Sequence, residues 1–157
     1  MSDPDDLARR VAEAMLAQEG TGPAWAVAIE EAREGYARIA MTVRADMLNG
    51  HGIVHGGMVF ALADTAFAYA CNGRNQTAVA QQASIVFLSP AREGERLVAE
   101  ASEQALAGRS GVYQVSVNTA DGRAVATFTG LSRIVGGPVV EISSPHAKTT
   151  GEGDHRP

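Results

Sequence analysis

Asp64 is the residue whose placement most needs a chemical reason. It is the only formally charged side chain in the 27 residues from Met47 to Gly73, and an ionised carboxylate withdrawn from water is costly unless hydrogen bonds or a cation offset the loss. One account is structural, an aspartate that accepts hydrogen bonds from loop amides or across a subunit contact. The other is catalytic, a carboxylate kept in an apolar place as nucleophile or general base. On a helical wheel Gly57, Ala61, Ala68 and Cys71 fall within about 60° of it. The acid therefore lies in a trough of small side chains, with room for a ligand or a second helix. Phe60 and Phe67 flank the trough as candidate apolar walls.

Upstream, His55-Gly56-Gly57 opens the same helix. The first amides of a helix point outward with the positive end of the dipole behind them, and glycine lets a ligand approach. That makes an oxyanion-hole candidate, against the plainer account of a loop that needs glycine to turn. Asn49 either begins a turn or holds a carbonyl or water with its amide. His51 and His55 have the i, i+4 spacing that on a helix would aim two imidazoles at one metal, but the four neighbouring glycines disfavour a helix there. A two-His, one-Asp metal centre is the lesser reading, and His51 reads as a solvated loop residue.

The spacing also speaks to assembly. Gly56 and Asp64 are eight residues apart, about 12 Å along a helix axis. A carbonyl-binding amide and an acid acting on one carbonyl must each approach to about 3 Å. One helix cannot supply both, whereas two antiparallel helices about a two-fold axis can, so the expected active unit is at least a dimer with two equivalent sites.

The elements that must position these residues are legible in outline. Asp3, Pro4, Asp5 and Asp6 begin a short helix over about 4–19. Trp25 to Val43 alternates as a hairpin around Gly35. The segment GGMVFALADTAFAYACNG is apolar around almost its whole circumference, which predicts a buried helix stopping at Asn72 and Gly73. Stretches 77–88, 95–107, 111–120 and 123–134 read as strands, separated by Pro90 with Gly94, by Gly108-Arg109-Ser110-Gly111 and by Asp121-Gly122. One apolar helix beside about six antiparallel strands predicts an α+β fold in which the sheet curls around the helix, the hotdog arrangement, with an open edge through which copies associate. The chain reads as one domain over 1–137, followed by a loose Gly-, Ser- and Thr-rich tail over 138–157.

Composition excludes other classes. The chain has 157 residues, 45% apolar and 20% charged, with a net charge of -5, so no basic field suits nucleic acid and no run of about 18 apolar residues suits a membrane span. The acidic N-terminus is unlike a signal peptide. A single cysteine, Cys71, makes no internal bridge and suits the reducing cytoplasm. Basic residues are twelve arginines and Lys148.

The segment MLNGHGIVHGGMVFALADTAFAYACN resembles the hotdog-fold acyl-CoA thioesterases, most closely the phenylacetic acid degradation (PaaI) family. The likeness continues through AVAQQASIVFLSPAREGERL, the GRSGVY turn and ATFTGLSRIVGG, roughly residues 25–137. The resemblance implies Asp64 as nucleophile or general base, the Gly56 amide as the group polarising the thioester carbonyl, Asn49 and His55 as polar residues beside it, and the acid delivered by the opposite subunit. It further implies a tetramer of two dimers and an aromatic acyl-CoA substrate such as phenylacetyl-CoA or a hydroxylated relative. Gly57, Phe60 and Ala61 would line the acyl site. Arg109 and Arg133 would meet the phosphates of CoA, with Ser110 and Gly111 beside them. Thioester hydrolysis demands no metal or organic cofactor. The competing classes are an acyl-CoA dehydratase or hydratase on the same fold, and a non-catalytic acyl-CoA binding module.

Overall fold

The apolar segment after the Gly-rich loop is helical over Gly56–Asn72 and the sheet wraps it, in a computed structural model that describes residues 3–142. The element order is α1 (Pro4–Gln18), α2 (Thr21–Ala24), β1 (Ala28–Arg33), β2 (Tyr36–Thr42), a single 3-10 turn (Ala45–Met47), α3 (Gly56–Asn72), β3 (Ala78–Phe87), β4 (Arg96–Ala107), β5 (Ser110–Thr119) and β6 (Ala124–Ile134). The strands form one antiparallel sheet in the order β1-β2-β4-β5-β6-β3. Register shifts at Ile29/Glu31, Ala80/Gln82 and Glu103/Ala105 bend three of the strands, as extra residues in a ladder do. α2 and the 3-10 turn, each a turn or less, carry too little periodicity to be foreseen.

The core lies between α3 and the concave face of the sheet. β5 shows the period-2 burial that this demands: Tyr113, Val115 and Val117 face the helix and are buried, while Val112 and Gln114 are exposed. Phe67 of α3 meets Tyr113 edge-on at 5.5 Å and Phe128 at 5.8 Å. Gly130 makes room for that ring, because an added Cβ would lie 2.8 Å from it. Gly130→Ala is therefore expected to destabilise the protein by about 1–3 kcal/mol through overpacking, read as a lower denaturant midpoint with an unchanged slope.

Two expectations need correction. α3 is not covered all round: Val59, Leu62, Ala66 and Phe67 are buried, but Gly57 is exposed and Ala61, Asp64, Thr65, Ala68 and Cys71 are only half-buried. The small-residue trough is thus an open stripe of the protomer. α3 does stop where the sequence predicts, at Asn72 with Gly73 as its C-cap, and Asn72 secures that stop, its side-chain amide donating to the Ala68 and Ala78 carbonyls and its Oδ1 accepting from Ala78 N–H at 2.9 Å. Finally, residues 138–140, expected in the loose tail, are tied down: Asn75 Oδ1 accepts from Val139 and Val140 N–H, both at 2.9 Å. Residues 143–157 of that tail lie outside the described residues.

The sheet has two unlike edges. β1 carries Glu30, Glu31 and Arg33 and packs beside α1. β3, at the other end, is ten residues long and exposes Val79 (48%) and Val86 (57%), with Phe87 (55%) at its end. Charge and a covering helix protect the first edge from pairing; the second has neither.

Candidate active site

The loop before α3 is held tightly. Asn49 N–H donates to Ile53 O at 2.8 Å, Val54 N–H to Ala91 O at 2.8 Å and His55 N–H to Met47 O at 2.8 Å. Asn49 Oδ1 accepts from His51 N–H at 2.9 Å and from Ile53 N–H at 3.4 Å. Its oxygen is thus committed to the loop and its NH2 group is left to donate. His51 is exposed.

His55 is the N-cap of α3, and its Nδ1 accepts the Gly57 N–H at 2.8 Å. The ring therefore carries its proton on Nε2. That cap spends the Gly57 amide and leaves the Gly56 N–H without a partner among the described residues. Gly56, which carries this orphan amide, lines a cavity of about 360 Å³ together with Asn49, Phe87, Leu88, Pro90 and Val125, among others. His55→Ala is expected to cost about 1 kcal/mol of stability by loss of the cap, and His55→Asn, whose side chain can accept the same bond, to restore it; chemical denaturation measures both.

Asp64 opens elsewhere. It lines a second cavity, about 390 Å³, with Thr65, Ala68 and Tyr69 of α3 and with Met15 and Gln18 of α1, Glu19 just after it and Thr21 of α2. The two linings share no residue. Burial raises the Asp64 carboxyl above its ordinary value, and no hydrogen bond or charge among the described residues offsets it. Cys71, one turn beyond Ala68, has its thiol pushed up to about 12, chiefly by burial, which leaves it neutral and a poor nucleophile.

The other candidates divide. Gly57, Phe60 and Ala61 line neither cavity, and Phe60 packs edge-on against Phe128 at 5.4 Å, which is a core role. Arg109, Ser110 and Gly111 line a small cleft of about 100 Å³ near the C-terminal end of α3, together with Cys71. Arg133 is exposed and stands opposite Ser110 and Val79 in the sheet register. Val79 and Phe87 are eight residues apart, so along β3 this end of the sheet is about 26 Å from the Gly56 cavity. Among the described residues there is no group of three or more His, Cys, Asp or Glu that could hold a metal ion, and no helix is long and apolar enough to cross a membrane. The Phe87, Leu88 and Val125 wall was missed from sequence, its only signal being the apolar run before Ser89-Pro90.

The geometry has close counterparts among known proteins. A model of the thioesterase superfamily matches residues 51–126, the stretch from His51 through α3 to the start of β6. The acyl-coenzyme A thioesterase PaaI of Escherichia coli is 41% identical over 128 residues, covering 82% of this chain and 91% of that one. The chain belongs to the PaaI family of hotdog thioesterases. The structure of the E. coli PaaI protein from the phenylacetic acid degradation operon superposes with a TM-score of 0.84 at 40% identity, covering 85% of this chain and 97% of the other. A variant of the phenylacetic acid degradation protein PaaI of Thermus thermophilus superposes with a TM-score of 0.72 at 38% identity, covering 74% and 100%. As a PaaI-family member this chain is an acyl-CoA thioesterase, a hydrolase acting on the bond between an acyl carbonyl and the sulfur of coenzyme A.

Proposed function

We propose that two copies of this chain, joined about a two-fold axis along the free edge of β3, hydrolyse aromatic acyl-CoA thioesters of the phenylacetyl or hydroxyphenylacetyl type. The observation that carries this reading is the separation of the unpartnered Gly56 amide and the Asp64 carboxylate into two cavities of one chain. Antiparallel pairing of β3 with its copy turns the open stripe of α3 toward the same stripe of the partner. It sets the Gly56 amide of one copy opposite Asp64 of the other. The same pairing carries the Arg133 end of the partner's sheet alongside the Gly56 cavity, where Arg109 and Arg133 would meet the phosphates of CoA. Two such dimers would form the tetramer that the family likeness implies. The aromatic acyl class is supported by the phenylacetic acid degradation operon of the E. coli relative, and a cytoplasmic setting by the lone thiol of Cys71.

In this arrangement the thioester carbonyl oxygen accepts from the Gly56 N–H, with the positive end of α3 behind it and the Asn49 NH2 beside it. His55 positions that amide by occupying its neighbour. Asp64 either removes a proton from water as the water oxygen bonds to the acyl carbon, or attacks that carbon itself to give an anhydride that water then opens. In both routes the carbon–sulfur bond breaks, CoA leaves as the thiol after protonation, and the free acid is the other product. Single turnover in oxygen-18 water identifies a nucleophilic route in which water opens the anhydride at the Asp64 carboxyl carbon: the label then enters Asp64 and the product acid carries an unlabelled oxygen from Asp64, whereas a general base leaves Asp64 unlabelled and puts the label in the acid.

Thiol release from a panel of CoA esters tests the assignment. Phenylacetyl-CoA and hydroxyphenylacetyl-CoA should be cleaved in preference to acetyl-CoA and long-chain esters. Hydration of an enoyl-CoA without thiol release would replace this reading with a hydratase.

A further inference from the structure

We propose that Phe87 is a positioning residue of the carbonyl site: its ring seals the Gly56 amide from water, so that this N–H keeps its full strength for the oxygen that becomes negative in the transition state. The inference rests on the preceding assignment of the Gly56 N–H to the thioester carbonyl. A Cβ built on Gly56 would lie 3.0, 3.4 and 3.6 Å from Cζ, Cε1 and Cε2 of Phe87, so the far end of the ring rests against the glycine. Both residues line the same cavity. The amide they share it with has no hydrogen-bond partner among the described residues.

Packing of the core does not explain this ring. Ala83, Ile85 and Phe87 share one face of β3, opposite Gly130, Phe128 and Ala126 in the register of β6. Ala83 and Ile85 pack against the core. Phe87 lies past its end and is more than half exposed, while Phe60, Phe67 and Phe128 pack on one another. An aromatic side chain left half in water contributes much less to folding than a buried one. At the amide its place has a use. Val54, Val59 and Val125 form a buried apolar inner lining of the cavity, so Phe87 and the equally exposed Leu88 form its outer wall. A donor facing a forming oxyanion is worth more where water neither competes for it nor screens it. Glycine at position 56 suits the same arrangement, because a larger residue would push the ring off the amide.

The test is a double-mutant cycle. Phe87→Ala and Phe87→Leu are made in the wild type and in Gly56→Pro, and kcat and KM are measured for phenylacetyl-CoA, or for whichever ester of the panel above is cleaved fastest. In the wild type Phe87→Ala should lower kcat by about tenfold, a part of what the donor it shields is worth, with KM changed by less than about threefold. Phe87→Leu, which restores apolar bulk, should recover most of that loss. In Gly56→Pro, which has no N–H to shield, Phe87→Ala should change kcat by less than about twofold. Equal factors in the two backgrounds, a loss confined to KM, or an unchanged kcat in Phe87→Ala overturns the proposal. Phe87 ends the strand through which copies pair, so gel filtration accompanies each assay. Should Phe87→Ala not pair, Phe87→Thr, which keeps strand propensity, decides by the same comparison; loss of pairing in both gives the ring an assembly role instead and overturns the proposal. Gly56→Pro alone keeps the two readings apart: if it turns over at the wild-type rate, the assignment of Gly56 fails; if it is impaired and the Phe87 factor is the same in both backgrounds, only the role of Phe87 fails.

Discussion

Asp64→Asn is expected to lower kcat by about a thousandfold or more, the range for loss of a positioned base or nucleophile, while the protein melts at a higher temperature than the wild type. The two effects have one cause. Burial raises the Asp64 carboxyl above its ordinary value of 3.8, so the native state binds that proton more tightly than the unfolded chain does. Stability then declines as pH rises from the unfolded-state value through the native one, and at neutral pH the ionised carboxylate is a standing cost. Asn has the same shape without the charge. Because Asp64 is only half-buried, solvent screens part of the penalty, and the gain should be modest, about 2 °C in Tm. Below the unfolded-state value, where both side chains are neutral, the difference should vanish. The active form is the ionised one, so the acid limb of the wild-type pH–rate profile should be displaced upward from the ordinary aspartate value. An Asn variant that turns over at the wild-type rate would remove Asp64 from the mechanism.

Gly56→Pro should lower kcat by about a hundredfold to a thousandfold, the cost of one oxyanion donor, with little loss of stability. Proline suits the first position of a helix because the N–H it lacks has no partner within the helix. His55, at φ -63° and ψ 133°, already has the extended backbone that a residue before proline requires. The added carbons approach the tip of the Phe87 ring, 3.0 Å from a Cβ at this site, and that ring is exposed enough to swing aside. This variant deletes a single hydrogen-bond donor and is the natural partner for Asp64→Asn. A hybrid of the two has one pocket missing both groups and one pocket intact. Random reassortment of equal amounts makes half the dimers hybrid, so about a quarter of the wild-type rate should return. Mixtures that stay inactive after demonstrated exchange of subunits would show that both groups come from one chain.

The parts of the fold that were legible in the sequence are those whose signal is local. α3 was found within a residue because an unbroken apolar run between HGG and NG allows few alternatives, and β3 to β6 because period-2 patterning and Gly-containing turns coincide. Asp64 was visible as an isolated charge, and Gly56 as a glycine at a helix start. What escaped depends on contacts distant in sequence. Nothing local to Glu19 reveals that it meets Tyr69, fifty residues away. The wall made by Phe87 and Val125 exists only because β6 brings β3 beside it. The role of His55 turned on one bond, Nδ1 to the Gly57 amide, which no spacing rule distinguishes from a metal ligand. The trough of small side chains on α3 was legible, but not that it stays open in the protomer, because small apolar side chains look alike whether a sheet of the same chain or a second copy covers them.

Placing the amide and the acid in cavities that do not meet has a kinetic corollary. On the two-copy reading, a newly made or diluted protomer is silent toward the acyl-CoA pool. Below the dissociation constant of the pair, the hydrolytic rate grows with the square of protein concentration rather than in proportion to it. Assembly would then act as the on-switch, with no inhibitor or modification required.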